Sequence, residues 1–245
     1  MQYRNLACAL VLALAVVAPA VAEMTEVLPP CVPGELSHEE ILEAVYSVDF
    51  VASGMDFFSP GKEGGISAIR FDDELTLSDV LDVVVGQFGT ADDQVWGNGD
   101  ITATAMARYA SYTQQFGYDA GEGFVVLFDV SGSGTKVDGS ATVDLIDRTW
   151  AWGRGNSDGT NRYYSEIDRN RDGLDHMVTY RINGLDTNET VWMLFWEDLP
   201  GGHSRRCASD RDFNDLAVEI RAVPEPATLF ILAAGLPLII RRKRA

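Results

Sequence analysis

The chain has 245 residues, 19 of them basic and 37 acidic, for a formal net charge of −18 at pH 7. A surface this negative repels phosphate, which argues against nucleic-acid binding, and it favours solubility and divalent cations. The N-terminus reads MQYRNLACALVLALAVVAPAVAEM. Arg4 supplies a small positive region, Leu6 to Val17 is an apolar run, and Ala20 to Ala22 forms a small-residue cleavage box. These three parts predict a secretory signal peptide over residues 1–22, its apolar run helical, cut after Ala22; the run is short for a retained membrane helix.

Between the two ends, residues 23–222 keep 14 basic and 36 acidic residues, a net charge of −22, because five of the 19 basic and one of the 37 acidic residues lie outside this span. That length suits one sizeable domain. Cys8 leaves with the signal peptide, so Cys31 and Cys207 are left as an even pair in an oxidising compartment and are a candidate disulfide joining the two ends of the body.

Residues 23–70 read as an N-terminal extension with one short helix. Ser37 with Glu40 makes a capping box before EEILEAVYSV, while MDFFSPGKEGG (Met55 to Gly65) reads as loop. LTLSDVLDVVVGQFG is ambiguous: Ser78 suits a helix cap, and Val83, Val84 and Val85 suit extension. Residues 71–222 read as a β domain. ITATAMARYASYT alternates and is rich in Thr, and GFVVLFDV (Gly123 to Val130) reads as a buried-type strand followed by a turn at SGSG. Trp150 and Trp152 share one face of TWAWG, and GRGNSDG reads as loop. MVTYRI turns Val178, Tyr180 and Ile182 inward, TVWMLFWEDL is apolar on both faces as a central strand is, and LAVEIRA alternates Leu216, Val218 and Ile220 against Ala217, Glu219 and Arg221. Short strands separated by Gly, Asn and Asp predict a mainly β fold, an antiparallel β-sandwich or jelly roll in a single domain.

Two acidic stretches carry the candidate chemistry. SEIDRNRDGLDHMVTY places Asp168, Asn170 and Asp172 at alternate positions, then Gly173 and Asp175. This is the first half of a calcium loop, in which oxygens at alternate positions converge and Gly allows the sharp turn. The position for a bidentate Glu holds Thr179, and a strand follows rather than a helix, so the stretch is not an EF-hand and needs ligands from elsewhere. The second stretch, WEDLPGGHSRRCASDRDFNDLAVEI, supplies Glu197 and Asp198, then Asp210, Asp212, Asn214 and Asp215. If the flanking strands pair, these groups lie at one sheet end. Carboxylate and amide oxygens without thiolate favour Ca²⁺ over zinc; the bland role for the same residues is strand termination by Asx-turns.

The C-terminus reads VPEPATLFILAAGLPLIIRRKRA: Pro224, Glu225 and Pro226, an apolar run over 227–240, and the basic cluster Arg241, Arg242, Lys243 and Arg244. The basic cluster is expected to stay cytoplasmic, with the hydrophobic helix as a transient inner-membrane anchor. This segment closely resembles the PEP-CTERM sorting tail of Gram-negative bacteria that make extracellular polysaccharide. The resemblance implies that exosortase, a membrane protease, recognises the Pro-Glu-Pro motif and removes residues 223–245 as a tail. DGLDHMVTYRI, WMLFWEDLPGG and SDRDFNDLAVEI resemble a carboxylate-rich β domain of unknown function found in secreted bacterial proteins beside such tails, whose FEDL…DRDFND core is its hallmark. That resemblance implies metal held by the core; this chain departs from it at Trp196 and by inserting HSRRCA, with Cys207, before the Asp cluster.

There is no H-E-x-x-H, no G-x-S-x-G and no phosphate-binding glycine loop, and His38, His176 and His203 are scattered. Trp96, Trp150 and Trp152 are candidates to stack on sugar rings, with the sandwich core as their other place. The expected function is a non-enzymatic, calcium-stabilised structural or adhesive component of the cell surface or extracellular matrix, in contact with extracellular polysaccharide. A calcium-dependent carbohydrate-binding module with the Trp residues lining a groove is the alternative, and a polysaccharide hydrolase or lyase is a third.

Overall fold

A computed structural model describes residues 25–52, 57–60, 65–71, 93–97, 99–145, 148–187, 189–201 and 210–223. The expected signal peptide, residues 224–245 of the expected sorting tail, the ambiguous run and Cys207 lie outside the described residues. Among the described residues, no helix is long and apolar enough to cross a membrane.

Helix α1 (His38–Tyr46) forms where the capping box sets it: Ser37 Oγ accepts from the Glu40 backbone N–H, and the Glu40 side chain accepts from the Ser37 N–H at 2.8 Å. Glu39 and Glu40 add negative charge to its first turn, which suits the helix dipole. The helix buries Ile41 and Leu42.

The strands are β1 (Phe50–Ala52), β2 (Phe57–Pro60), β3 (Ser67–Phe71), β4 (Trp96–Gly97), β5 (Asp100–Arg108), β6 (Gln114–Asp119), β7 (Val125–Ser133), β8 (Lys136–Asp138), β9 (Ser140–Asp144), β10 (Thr149–Asn156), β11 (Tyr163–Tyr164), β12 (Met177–Asn183), β13 (Thr190–Trp196) and β14 (Leu216–Val223). They form an eight-stranded sheet in the order β1-β2-β3-β12-β13-β14-β5-β9 and a six-stranded assembly of β11-β10-β6-β7-β8 with β4 on β10. Every pairing is antiparallel.

One core lies between the sheets, where Trp192, Leu194 and Trp196 of β13 meet Phe116 of β6 and Trp150 and Trp152 of β10. Aromatic edges and faces tie the layers: Phe116 stacks on Trp152 at 5.2 Å between centroids, and Trp96 meets Trp192 edge-on at 5.7 Å. A second core lies on the other face of the large sheet, where Val191, Met193 and Phe195 of the same β13 meet Val178, Tyr180 and Ile182 of β12 and Ile41 and Leu42 of α1. The result is three layers: helix and N-terminal segment, large sheet, small sheet.

Several expectations change. Within and just beyond residues 23–70, β3 pairs with β12 and carries β1 and β2 into the large sheet. Met55 to Gly65 contains β2 rather than loop alone. Gly153 to Asn156 belongs to β10; Gly153 is there for close approach, since a Cβ would sit 2.8 Å from the Phe124 ring. In β7 only the alternate residues Phe128 and Val130 are buried, and Val125 and Val126 are exposed. Strand β7 also runs through Ser133, so the turn comes later than SGSG suggested.

Phe195 is fully buried against His38 and Tyr180. Phe195→Ala should destabilise the protein by about 3–5 kcal/mol, read from equilibrium urea unfolding; a loss below about 1 kcal/mol would show that α1 and the sheet do not share this core.

Candidate functional site

Strands β13 and β14 pair through Trp196 and Leu216. Glu197 and Asp198, which follow β13, and Asp210 to Asp215, which precede β14, therefore emerge at one end of the large sheet. A third segment, the stretch leading into α1, brings Glu35 to the same place. Two groups of carboxylates result: an inner trio of Glu197, Asp198 and Asp215, and an outer trio of Glu35, Asp210 and Asp212, each with one oxygen per residue within 4.8 Å of the others. Oxygens on opposite sides of a calcium ion sit roughly 4.6–5.2 Å apart, so this spacing suits one ion per trio.

Burial and mutual repulsion act on the inner trio. Burial first, then the neighbouring Asp210, raise Glu197 to about 7 against the pull of the Leu199 N–H. Burial, followed by Asp198 and Glu197, pushes Asp215 up to about 10. Asp198 is also raised by burial, although the Arg154 guanidinium opposes it. Backbone donors fix the geometry. Asp198 N–H donates to Asp215 Oδ2 at 2.7 Å, and Arg211 N–H and Leu199 N–H donate to the two Glu197 oxygens at 3.0 and 3.2 Å. One oxygen each of Asp215, Glu197 and Asp198 lies within 4.8 Å of the others, so a proton taken up by the trio relieves the repulsion among them.

Arg154 of β10 enters from the small sheet. It is fully buried, lies 3.9 Å from Asp198 Oδ2 and donates to Gln114, whose amide in turn donates to Asp198 Oδ2 at 2.8 Å. Behind Glu197, His176 Nδ1 lies 3.2 Å from the Glu197 carbonyl and Nε2 lies 3.0 Å from Asp172 Oδ2, with the ring stacked on Tyr163. Burial pulls the His176 pKa down, against the Asp172 carboxylate.

The outer trio is more open, with Glu35 and Asp210 half-buried and Asp212 buried. Burial, then Asp210, raises Asp212 to about 7, and burial followed by Asp210 also raises Glu35. The loop carrying it is unusual: Arg211 and Phe213 both have left-handed backbone, with φ of 55° and 54°. This conformation costs roughly 1–3 kcal/mol at each non-glycine residue and persists only where the surroundings impose it. Here they do. Phe213 is buried in the helix-side core, its carbonyl accepts from His38 Nε2 at 3.3 Å, and His38 Nδ1 faces the Tyr180 hydroxyl at 3.1 Å. His38 is neutral in this position, its pKa lowered by burial to about 3.

The first acidic stretch does not assemble a second loop of ligands. Asp168 is exposed in a 3₁₀ turn, Ile167–Arg169. Asn170 is a staple: its amide donates to the Tyr164 and Leu174 carbonyls, and its oxygen accepts the Tyr164 N–H at 2.7 Å. Asp172 accepts from the Gly201 and Leu174 N–H groups, and these bonds with His176 lower its pKa although partial burial raises it. Asp175 holds Thr25 Oγ1 and the Met177 N–H. Asn214 Nδ2 donates to Asp212 and to the Leu36 carbonyl, which fixes its amide beside the outer trio. Glu35, Gln114 and Arg154 were missed; Glu35 lies too far in sequence from Asp210 for any spacing rule to join them, and Arg154 was hidden in a stretch read as loop.

Cys31 is disulfide-bonded, and its Sγ lies 3.0 Å from Asp210 Oδ2. All five tryptophans are buried, so none lines a surface groove.

Residues 141–223 match a family described as a domain of unknown function, DUF4114. That span holds every member of both trios except Glu35. No curated protein matches the chain. Among solved structures, a Ralstonia solanacearum high-affinity mannose-binding lectin is 20% identical with a TM-score of 0.32, over 53% of this chain and 92% of that one. A Chromobacterium violaceum lectin in complex with alpha-methyl-fucoside is 14% identical with a TM-score of 0.34, over 53% and 92%. The C-terminal domain of a Burkholderia cenocepacia lectin is 10% identical with a TM-score of 0.33, over 54% and 97%. Overlap this partial carries no functional argument.

The raised carboxyls bind protons more tightly in the folded chain than in the unfolded one. Their effect is to weaken the fold as pH rises from the unfolded values near 4 through about 7 for Glu197 and Asp212, and on toward about 10 for Asp215. In EDTA, the melting temperature should therefore rise on going from pH 8 to pH 5.5, by on the order of 5 °C. A melting temperature that falls over this interval would show that the trios are not buried together.

Proposed function

We propose that this chain is an exported, non-enzymatic protein of the cell surface or extracellular matrix, whose strand-end loops are ordered by calcium. Its C-terminal tail holds it for a time at the inner membrane, and an exosortase-like protease releases it into the surface polysaccharide. The sorting part of this reading rests on the sequence of the two ends. The calcium part rests on one observation: six carboxylates from three separate segments converge in two oxygen triads, with the buried Arg154 beside only one of them.

The donor set fits a hard cation. Glu197, Asp198 and Asp215 would hold one ion, and Glu35, Asp210 and Asp212 a second; all six offer oxygen, which suits calcium and not the nitrogen and sulfur preference of structural zinc. The ion would supply positive charge where protons now relieve the repulsion, so binding near neutral pH should release protons. It would also join the β13 end, the loop before β14 and the segment before α1, three pieces of chain that otherwise repel one another.

Calorimetric titration of the full-length chain with CaCl₂ checks this. Two ions should bind to the wild type, one to Glu35→Gln and one to Asp215→Asn, while Asp168→Ala binds as the wild type does. Asp215→Asn should also invert its effect on stability: no less stable than the wild type in EDTA, because the amide is neutral as the raised Asp215 carboxyl already is near pH 7, and less stable in calcium, where a charged ligand is missing. No heat in the wild type would end the calcium reading.

A calcium-dependent carbohydrate-binding role would have to work through the half-exposed outer trio, since the tryptophans are all in the core. A glycan array probed in CaCl₂ and in EDTA separates the two roles. Calcium-dependent retention of a glycan supports sugar binding; no retention on the array leaves the structural matrix role.

A further inference from the structure

Arg154 is fully buried and cannot turn away from the carboxylates beside it. Its Nε donates to Gln114 Oε1 at 2.7 Å and its Nη2 to Asn156 Oδ1 at 3.0 Å. Its Nη1 donates to the Asn161 carbonyl at 2.8 Å and to the Asp198 carbonyl at 3.3 Å. Two paired strands, β6 and β10, and the loop after β10 thus hold the planar fork on several sides. Burial opposes the charge of this guanidinium, and the members of the inner trio, Asp198, Asp215 and Glu197, support it together with Tyr163. The outer trio has a different setting. Burial raises Asp212, and the charges that add to it are those of Asp210, Glu197 and Glu35. Burial also raises Glu35, and there the added charges are those of Asp210 and Asp198. All of these are carboxylates. Arg211, between Asp210 and Asp212, is exposed and turns instead to Glu26 at 3.8 Å.

We propose that Arg154 sets the ion charge accepted at the inner site: it restricts Glu197, Asp198 and Asp215 to a divalent cation, while the outer trio favours a hard trivalent one. This role for Arg154 rests on the calcium reading above. Each trio is one Glu and two Asp, so the type and number of donors do not separate them; the guanidinium does. Three ionised carboxylates beside one guanidinium carry a charge of −2. A divalent ion cancels it, and a trivalent ion leaves positive charge buried next to an arginine that cannot move away. Glu35, Asp210 and Asp212 carry −3 when ionised, which a divalent ion leaves uncancelled and a trivalent ion neutralises. In the surroundings of an exported chain, a hard trivalent ion such as ferric iron would therefore replace calcium at the outer trio and leave the inner ion in place.

The probes are CaCl₂ and TbCl₃, terbium being a trivalent ion that shares calcium's preference for oxygen ligands. Calorimetric titration and competition are run on two full-length chains: Glu35→Gln, which keeps the inner trio, and Asp215→Asn, which keeps the outer one. The ratio of terbium to calcium affinity should be about tenfold lower at the inner trio, or lower still. Equal ratios, with calcium bound at both sites, overturn the role of Arg154 and leave the calcium reading intact. The two sites also differ in openness, so the charge itself is isolated in the Glu35→Gln background. There Arg154→Gln should raise the inner ratio about tenfold, and Arg154→Lys, which keeps the charge without the fork, should leave it within about threefold. A ratio that moves equally in both Arg154 variants makes the residue a packing element and overturns the proposal. Circular dichroism checks that each variant is folded. If Arg154→Gln does not fold, the comparison of the two sites, which leaves Arg154 in place, still decides. If neither chain binds either ion, the calcium reading and the role of Arg154 fall together.

Discussion

Everything at the candidate site depends on β13 being packed on both faces. Trp192, Leu194 and Trp196 fill the core between the sheets, and Val191, Met193 and Phe195 fill the core beneath α1. A slip of one residue would exchange the two sets, placing indoles under the helix and Val, Met and Phe among the indoles, so register is fixed by shape on both sides. With register fixed, Glu197 and Asp198 have a single place to go as the strand ends, and β14, paired residue for residue, brings the second acidic loop back to meet them.

That arrangement concentrates negative charge where solvent is scarce. Proteins avoid burying unpaired carboxylates, because desolvation opposes ionisation and neighbours of like sign add to it. Arg154 reaches across from the small sheet and compensates part of the charge on the inner trio, and burial raises Asp215 so that it holds its proton. The outer trio has no buried arginine of this kind among the described residues; there the segment before α1 and the acidic loop are tied by the Leu28 N–H to the Arg211 carbonyl and by Asn214 to the Leu36 carbonyl. The two trios thus deal with the same electrostatic problem by different means, one through a buried guanidinium and one through backbone restraint.

Much of the frame was legible in the sequence. The capping box at Ser37, the doubly apolar β13, the alternation in β12 and β14, and the meeting of Glu197 and Asp198 with the later Asp cluster all follow from period-two patterning and local side-chain chemistry. The first acidic stretch misled for a physical reason: alternate spacing predicts convergence only while the backbone stays extended, and here a 3₁₀ turn rotates Asp168 outward while Asn170 saturates its own loop. The same spacing in Asp210 and Asp212 is bent by left-handed residues at Arg211 and Phe213, which no propensity favours and only the packed core imposes. The start of GRGNSDG reads as loop because the purpose of Gly153, leaving room for the Phe124 ring, is visible only once the chain is folded. Glu35 joined the site through a contact between distant parts of the chain, the kind of information that local patterns do not carry.

Phe213 and Asp212 are adjacent, yet one side chain belongs to the core beneath α1 and the other to the outer trio. With His38 bridging the Phe213 carbonyl to Tyr180, the loop cannot open without loosening the helix, and the helix cannot peel away without disturbing the carboxylates. In the language of local unfolding, α1 and residues 210–215 form one cooperative unit, so their amides should exchange with solvent through a shared opening rather than separately. Whatever occupies the acidic end of the sheet is therefore felt at once by a helix that never touches the inner trio, and the outer layer of the molecule is no more stable than the loop it rests on.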